Sequence, residues 1–155
     1  MPNWIKNKVY VGNGLALKEC MSKDEDGNEY FDFNKIIEMP KELEQTTAPS
    51  RKPNKELIKK YGVDNWYDWR VENWGTKWNS CDNEIIDGQH IVFRTAWSMP
   101  NEVFIALSKK YHTRIIVEYA DEDLGYNCGT RKYNNGKIVE DSTGNLAFAK
   151  KIWRS

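Results

Sequence analysis

The sequence predicts an α+β sandwich, an antiparallel sheet with helices packed on one face and a C-terminal hairpin. Three observations lead there. Several short segments alternate apolar and polar residues, as half-buried strands do. Helical faces fall between them, giving two strand–helix–strand passes. Asn134-Asn135-Gly136 then sits between two extended runs, a strong hairpin signal.

The elements follow in chain order. Residues 4–11 read as the first strand, with Ile5, Val9 and Val11 on one parity and Lys6, Lys8 and Tyr10 on the other. Gly12-Asn13-Gly14 ends it, and residues 14–21 are expected as a short helix. A solvated turn at Asp24-Glu25-Asp26-Gly27-Asn28 precedes an extended stretch over residues 30–39, stopped by Pro40. A brief helical turn follows at residues 41–44. Residues 45–53, with two prolines and little apolar content, form a loop. Asn54 caps a helix carrying Leu57, Ile58 and Tyr61 that Gly62 ends. Asp64 caps the next, whose expected inner face is Tyr67, Val71 and Trp74, with Gly75 as its stop.

The second half has sharper patterns. Residues 90–97 are rich in strand formers. Pro100 opens a helix lined by Val103, Phe104, Leu107 and Tyr111. Residues 114–119 alternate through Ile115, Val117 and Tyr119. Residues 126–133 and 137–140 flank the hairpin turn, and the tail over residues 145–153 docks through Leu146, Phe148, Ile152 and Trp153. This order fits a ferredoxin-like sandwich. The 155 residues are read as one domain, 1–155, with a helical Trp-rich insertion at about 54–78.

Composition narrows the chemistry. Basic and acidic residues number 23 each, and the balance holds in each half, with 13 and 13 in residues 1–78 and 10 and 10 in residues 79–155. A broad phosphate-binding face is therefore not expected. Mean hydropathy is −0.79, yet 7 Trp, 8 Tyr and 5 Phe supply a core. No run approaches a membrane span, and no apolar leader is seen at the start. Cys20, Cys81 and Cys128 are an odd count without a close pair, which suits free thiols in a reducing cytoplasm.

With His90 and His112 as the two histidines, no metal site is expected. Asp82 beside Cys81 works against a reactive thiolate, and Cys128 reads as a small core residue. Leu17 stands where a dinucleotide fingerprint needs its third glycine. Asp121-Glu122-Asp123 reads as a solvated turn. No catalytic residue, cofactor or metal ligand is assigned, and a non-enzymatic protein is expected.

The most distinctive segment is residues 66–78, with four tryptophans in thirteen positions. Two readings stand. In one, Trp74 and Trp78 bridge helix to sheet and give their indole N–H groups to nearby carbonyls. In the other, Trp66, Trp69, Arg70, Asn73 and Lys77 make an aromatic-basic surface for a partner.

Four blocks occur in order: Met1-Pro2-Asn3-Trp4, residues 33–43, Asn73-Trp74-Gly75-Thr76-Lys77-Trp78, and residues 93–100. Together they resemble the YubB-like family of phage and plasmid proteins. Where that family often has Cys after the first Trp this chain has Ile5, and it has Glu38 and Ala96 where prolines are frequent. The resemblance implies a ferredoxin-like domain, a mobile-element origin and a host-cytoplasm location, with no catalytic residue to carry over. The expected role is binding of a host or viral macromolecule, with inhibition of a defence complex such as a CRISPR effector as one version. The alternative is a single-stranded nucleic-acid-binding module using the open sheet face.

Overall fold

The computed structural model describes residues 3–155, so Met1 and Pro2 of the first resemblance block lie outside the described residues. Eight strands and six helices run in the order β1 (Trp4–Val11), α1 (Gly14–Glu19), β2 (Met21–Lys23), β3 (Glu29–Phe31), α2 (Lys41–Glu44), α3 (Lys55–Tyr61), α4 (Trp66–Trp74), β4 (Cys81–Ile85), β5 (His90–Ala96), α5 (Asn101–Lys110), β6 (Arg114–Asp121), β7 (Cys128–Asn134), β8 (Lys137–Thr143) and α6 (Leu146–Arg154). Six strands form one antiparallel sheet ordered β4-β5-β1-β6-β7-β8; β2 and β3 pair separately. The crossover from β1 to β4 skips over β5, and that from β5 to β6 skips over β1. This is the ferredoxin-like interleaving, with β7 and β8 added at one edge.

Alternation sets the inner face. Ile5, Val9 and Val11 of β1, Ile91 and Phe93 of β5, and Ile115, Val117 and Tyr119 of β6 are buried in one cluster. Helices α1, α2, α4 and α5 add Ala16, Leu17, Leu43, Trp69, Trp74, Val103, Phe104 and Leu107 to it, and the partly buried Leu57 of α3 packs against it. Its centre is aromatic: Phe31 stacks on Phe93 at 5.2 Å, and Phe33 meets Trp74 edge-on at 5.5 Å. Asn7 is the polar exception in the β1 row. It is fully buried, and its Nδ2 donates to the carbonyls of Ile5 and Phe93 and to Thr95 Oγ1.

Four local expectations are corrected. The stretch 30–39 is not extended throughout. After β3 the chain makes a 3₁₀ turn at Phe33–Lys35, because Asp32 accepts from the Asn34 N–H and Asn34 Oδ1 from the Met39 N–H, diverting the backbone from a ladder. The cap of α4 is Asn65 rather than Asp64, and its inner face is Trp69 and Trp74 while Val71 is 42% exposed. Strand β4 has no apolar alternation to announce it; pairing with β5 makes it a strand. Finally, the helices are not all on one face. Ala120 points away from the Ile115-Val117-Tyr119 row, and with its partner Cys128 it makes a second apolar patch. Helix α6 lays Ala149 and Ile152 there, and Trp153 Nε1 donates to the Ala120 carbonyl at 2.9 Å. No helix among the described residues is long and apolar enough to cross a membrane.

Candidate partner-binding surface

The Trp-rich segment is built from its first residue. Asn65 Oδ1 accepts from the Asp68 N–H at 2.9 Å, satisfying one free donor of the first turn of α4. Thr46 Oγ1 accepts from the Trp66 N–H at 2.9 Å. Gly75 ends the helix at φ +83°, and a Cβ there would meet the Asn101 nitrogen at 3.2 Å, so both conformation and space call for glycine. Buried Thr76 then ties the turn to the sheet, its hydroxyl donating to the Ala96 carbonyl at 2.7 Å. Ser98 Oγ donates to the Gly75 carbonyl from the other side.

These ties bring residues 77 and 78 beside Trp97, which is 47% exposed at φ +68°. The Lys77 Nζ lies 3.8 Å from the Trp97 ring centroid and 4.3 Å from that of Trp78. Arg70 stacks between Trp66 at 5.0 Å and Trp74 at 5.2 Å, and its Nη1 reaches the Lys77 carbonyl at 3.4 Å. Edge-on contacts complete the row: Trp66 to Tyr67 at 5.8 Å and Tyr67 to Trp97 at 6.4 Å, with Trp4 tilted against Trp78 at 5.9 Å. The result is one half-buried ridge of five aromatic rings threaded by two cations. Rings of this kind give large contact area at low entropic cost, and cations over their faces are electrostatically favoured.

Of the five residues singled out from the sequence, Trp66, Arg70 and Lys77 come together here. Trp69 does not. It is 6% exposed and packs edge-on against Trp74 at 5.6 Å, so its ring belongs to the core and is corrected out of the surface. Asn73 returns its Nδ2 to the Trp69 carbonyl at 2.9 Å, serving its own helix. Trp74 follows the bridging reading, its Nε1 donating to the Ile37 carbonyl at 2.8 Å. Trp78 joins the ridge. The residues that sequence reasoning missed are Tyr67, Trp97 and Trp4. Trp97 continues the buried parity of Ile91, Phe93 and Thr95, which predicts an inward ring; the left-handed backbone at 97 turns it out.

The hydrogen bonds and ring contacts of Cys81, Cys128, His90 and His112 go to residues outside the ridge. Burial pushes the Cys20 thiol up to about 12. Burial first and Asp82 second raise Cys81, and burial then Asp121 raise Cys128, so each thiol is held away from its thiolate. His90 Nδ1 sits 2.8 Å from Asp87 Oδ1, and His112 Nδ1 2.8 Å from Asn135 Oδ1. No group of three or more His, Cys, Asp or Glu among the described residues is placed to hold a metal ion.

Residues 73–153 match the family described as the ferredoxin-like domain in Api92-like protein. The chain belongs to that family. The matched span begins near the end of α4, so it takes in Lys77, Trp78 and Trp97 while Trp66 and Arg70 precede it. Among solved structures, the crystal structure of the protein api92 from Yersinia pseudotuberculosis aligns with a TM-score of 0.50 at 9% identity, covering 94% of this chain and 99% of that one. At that identity the likeness speaks for the fold alone. No curated protein matches the chain. The family found is thus the Api92-like one, and it shares with the YubB-like expectation the ferredoxin-like domain.

Proposed function

We propose that this Api92-like domain is a non-enzymatic binding protein that grips a macromolecular partner through the Trp66–Tyr67–Trp97–Trp78 ridge. One observation carries the reading: Lys77 and Arg70 are held against indole faces at the surface, on a turn fixed by Gly75, Thr76 and Ser98. Interface hot spots are enriched in Trp, Tyr and Arg, and a rigid platform lowers the entropy lost on docking. The resemblance to phage and plasmid proteins supports a mobile-element origin, a host-cytoplasm location and a host or viral partner. An inhibitor of a defence complex such as a CRISPR effector is the concrete form of that role.

The test is co-purification with mass spectrometry from host cells, with wild type and Trp97→Ala side by side. A stoichiometric protein recovered by wild type and lost with Trp97→Ala is the expected result. A partner retained by both, or none with either, ends this reading.

A second reading has its own observation. On the sheet face opposite α1 to α5, the Tyr10 ring lies tilted against His90 at 5.1 Å beside Lys8 and Ile116, lining a groove of about 590 Å³. Single-stranded nucleic acid is bound on such faces by base stacking. Glu84 and Glu118 line the same groove and oppose it. Fluorescence anisotropy with labelled single strands at two salt concentrations decides: micromolar binding with a steep salt slope, lost in Tyr10→Ala, supports this reading over the first.

A further inference from the structure

The ridge holds two cations without an acid. Among the described residues four other cations are paired: Lys60 with Glu42, Arg94 with Asp82, Arg131 with Asp141 and Lys132 with Glu140. Among the described residues, Arg70 and Lys77 have no carboxylate within ion-pair distance, although acids equal bases in number. Arg70 is also short of acceptors. Its one hydrogen bond among these residues is the 3.4 Å contact to the Lys77 carbonyl, and its Nε is buried with no partner. Burial pulls its pKa down, with Glu44 the opposing charge. Donors of a guanidinium removed from water without acceptors are costly, and the fork of Arg matches a carboxylate through two parallel bonds.

We infer that Arg70 and Lys77 form the seat for an anionic group, a carboxylate on an acidic segment of a partner protein. The inference rests on the partner-binding reading above and names the chemistry of that partner. A nucleic acid fits less well. It needs open aromatic faces for its bases and a track of cations for its phosphates. Here the Lys77 ammonium already lies over the rings of Trp97 and Trp78, and the neighbouring exposed charges of α4 are Asp68 and Glu72. Two cations on one ridge, tied by the Arg70 contact to the Lys77 carbonyl and bounded by acids, suit one or two carboxylates and repel an extended polyanion.

The experiment titrates the full ¹⁵N-labelled chain with acetylated, amidated hexaglutamate, with a ten-residue oligothymidylate and hexalysine as companion probes. The signals are the Arg70 Nε–H and the indole N–H groups of Trp78 and Trp97. Hexaglutamate is expected to shift them saturably while hexalysine leaves them in place. Lys77→Gln is expected to weaken its binding about tenfold, as loss of a charge-assisted contact does. Arg70→Lys, which keeps the charge but loses the fork, falls in between, and Lys132→Gln on another strand leaves affinity unchanged.

Three results overturn the inference: hexaglutamate leaving the three signals in place, Lys77→Gln binding as tightly as wild type, or oligothymidylate shifting the same signals at lower concentration. Failure of the seat is separable from failure of the ridge. A partner lost with Trp97→Ala but kept by Lys77→Gln removes the anion seat and leaves the binding reading standing. A partner indifferent to Trp97→Ala removes the binding reading itself.

Discussion

Trp74 and Trp97 are close in the fold and opposite in role. Trp74 closes α4 facing inward, with no exposed surface, its ring edge-on to both Phe33 and Trp69. Trp97 follows β5, nearly half exposed, with the Lys77 ammonium over its face. The side chain is the same, so hydrophobicity does not decide between them. Backbone handedness does. After Trp74 the left-handed residue is the following Gly75, which lets the helix finish with its last ring in the core. At Trp97 the left-handed residue is the tryptophan itself, at a conformation that strains a residue bearing a Cβ. A strained residue that puts a large ring into solvent supports the contact role proposed for the ridge.

That contrast is open to direct attack. The largest expected effect is Trp74→Ala, which empties the aromatic centre and is predicted to cost about 3–5 kcal/mol by denaturant unfolding. A loss under 1 kcal/mol would show that Trp74 is not the keystone described. Ile152→Ala probes the second apolar patch and is predicted to cost about 2–4 kcal/mol. A result near zero would detach α6 from the cooperative unit. Gly75→Ala places a Cβ at positive φ against the Asn101 nitrogen, with an expected loss of about 1–3 kcal/mol. If it is neutral, the turn that presents Lys77 is not set by Gly75. Trp97→Ala is expected to change stability by about 1 kcal/mol or less, because what it gives up is a surface cation–π contact. A cost as large as that of Trp74→Ala would erase the distinction between the two tryptophans.

The smallest effect concerns the loop that carries α4. Asp64 accepts from Ser50 Oγ, the Asn54 N–H and Asn65 Nδ2, which together hold its carboxyl below the ordinary 3.8. A depressed pKa means the contribution is present above the unfolded value and fades as pH falls through the folded one. Wild type is therefore predicted to lose more stability than Asp64→Asn as pH drops below about 4. Parallel acid curves for the two would remove Asp64 as an anchor.

Much of the frame was legible because periodicity and burial agree there. β1, β5, β6 and α5 carry apolar residues at the spacing their surroundings demand, and residues 135 and 136 both take the positive φ that an Asn-Gly hairpin expects. β4 was not legible, since Cys81-Asp82-Asn83-Glu84-Ile85 owes its strand to a neighbour and not to its own pattern. Nor was the side on which α6 docks. Ala120 and Cys128 are small, and small residues mark a second buried patch only once strand parity and pairing are known. The surface was half legible. Clustering along the chain exposed Trp66, Arg70 and Lys77. It also drew in Trp69, because one helix turn carries both inward and outward rings. Trp97 sits in a separate part of the sequence, and its parity pointed inward.

The split crossovers bear on the order in which the chain assembles. Asn7 and Thr95, 88 positions apart, must meet before the sheet has a centre, whereas β6, β7 and β8 form a meander of near neighbours. Closing the longer loop carries the larger entropic penalty, and distant pairings slow the search. The meander is therefore expected to lead and β1 to seat last. Refolding kinetics should give φ-values near zero at Ile5 and well above it at Tyr133; the reverse pattern would place the nucleus at the centre of the sheet.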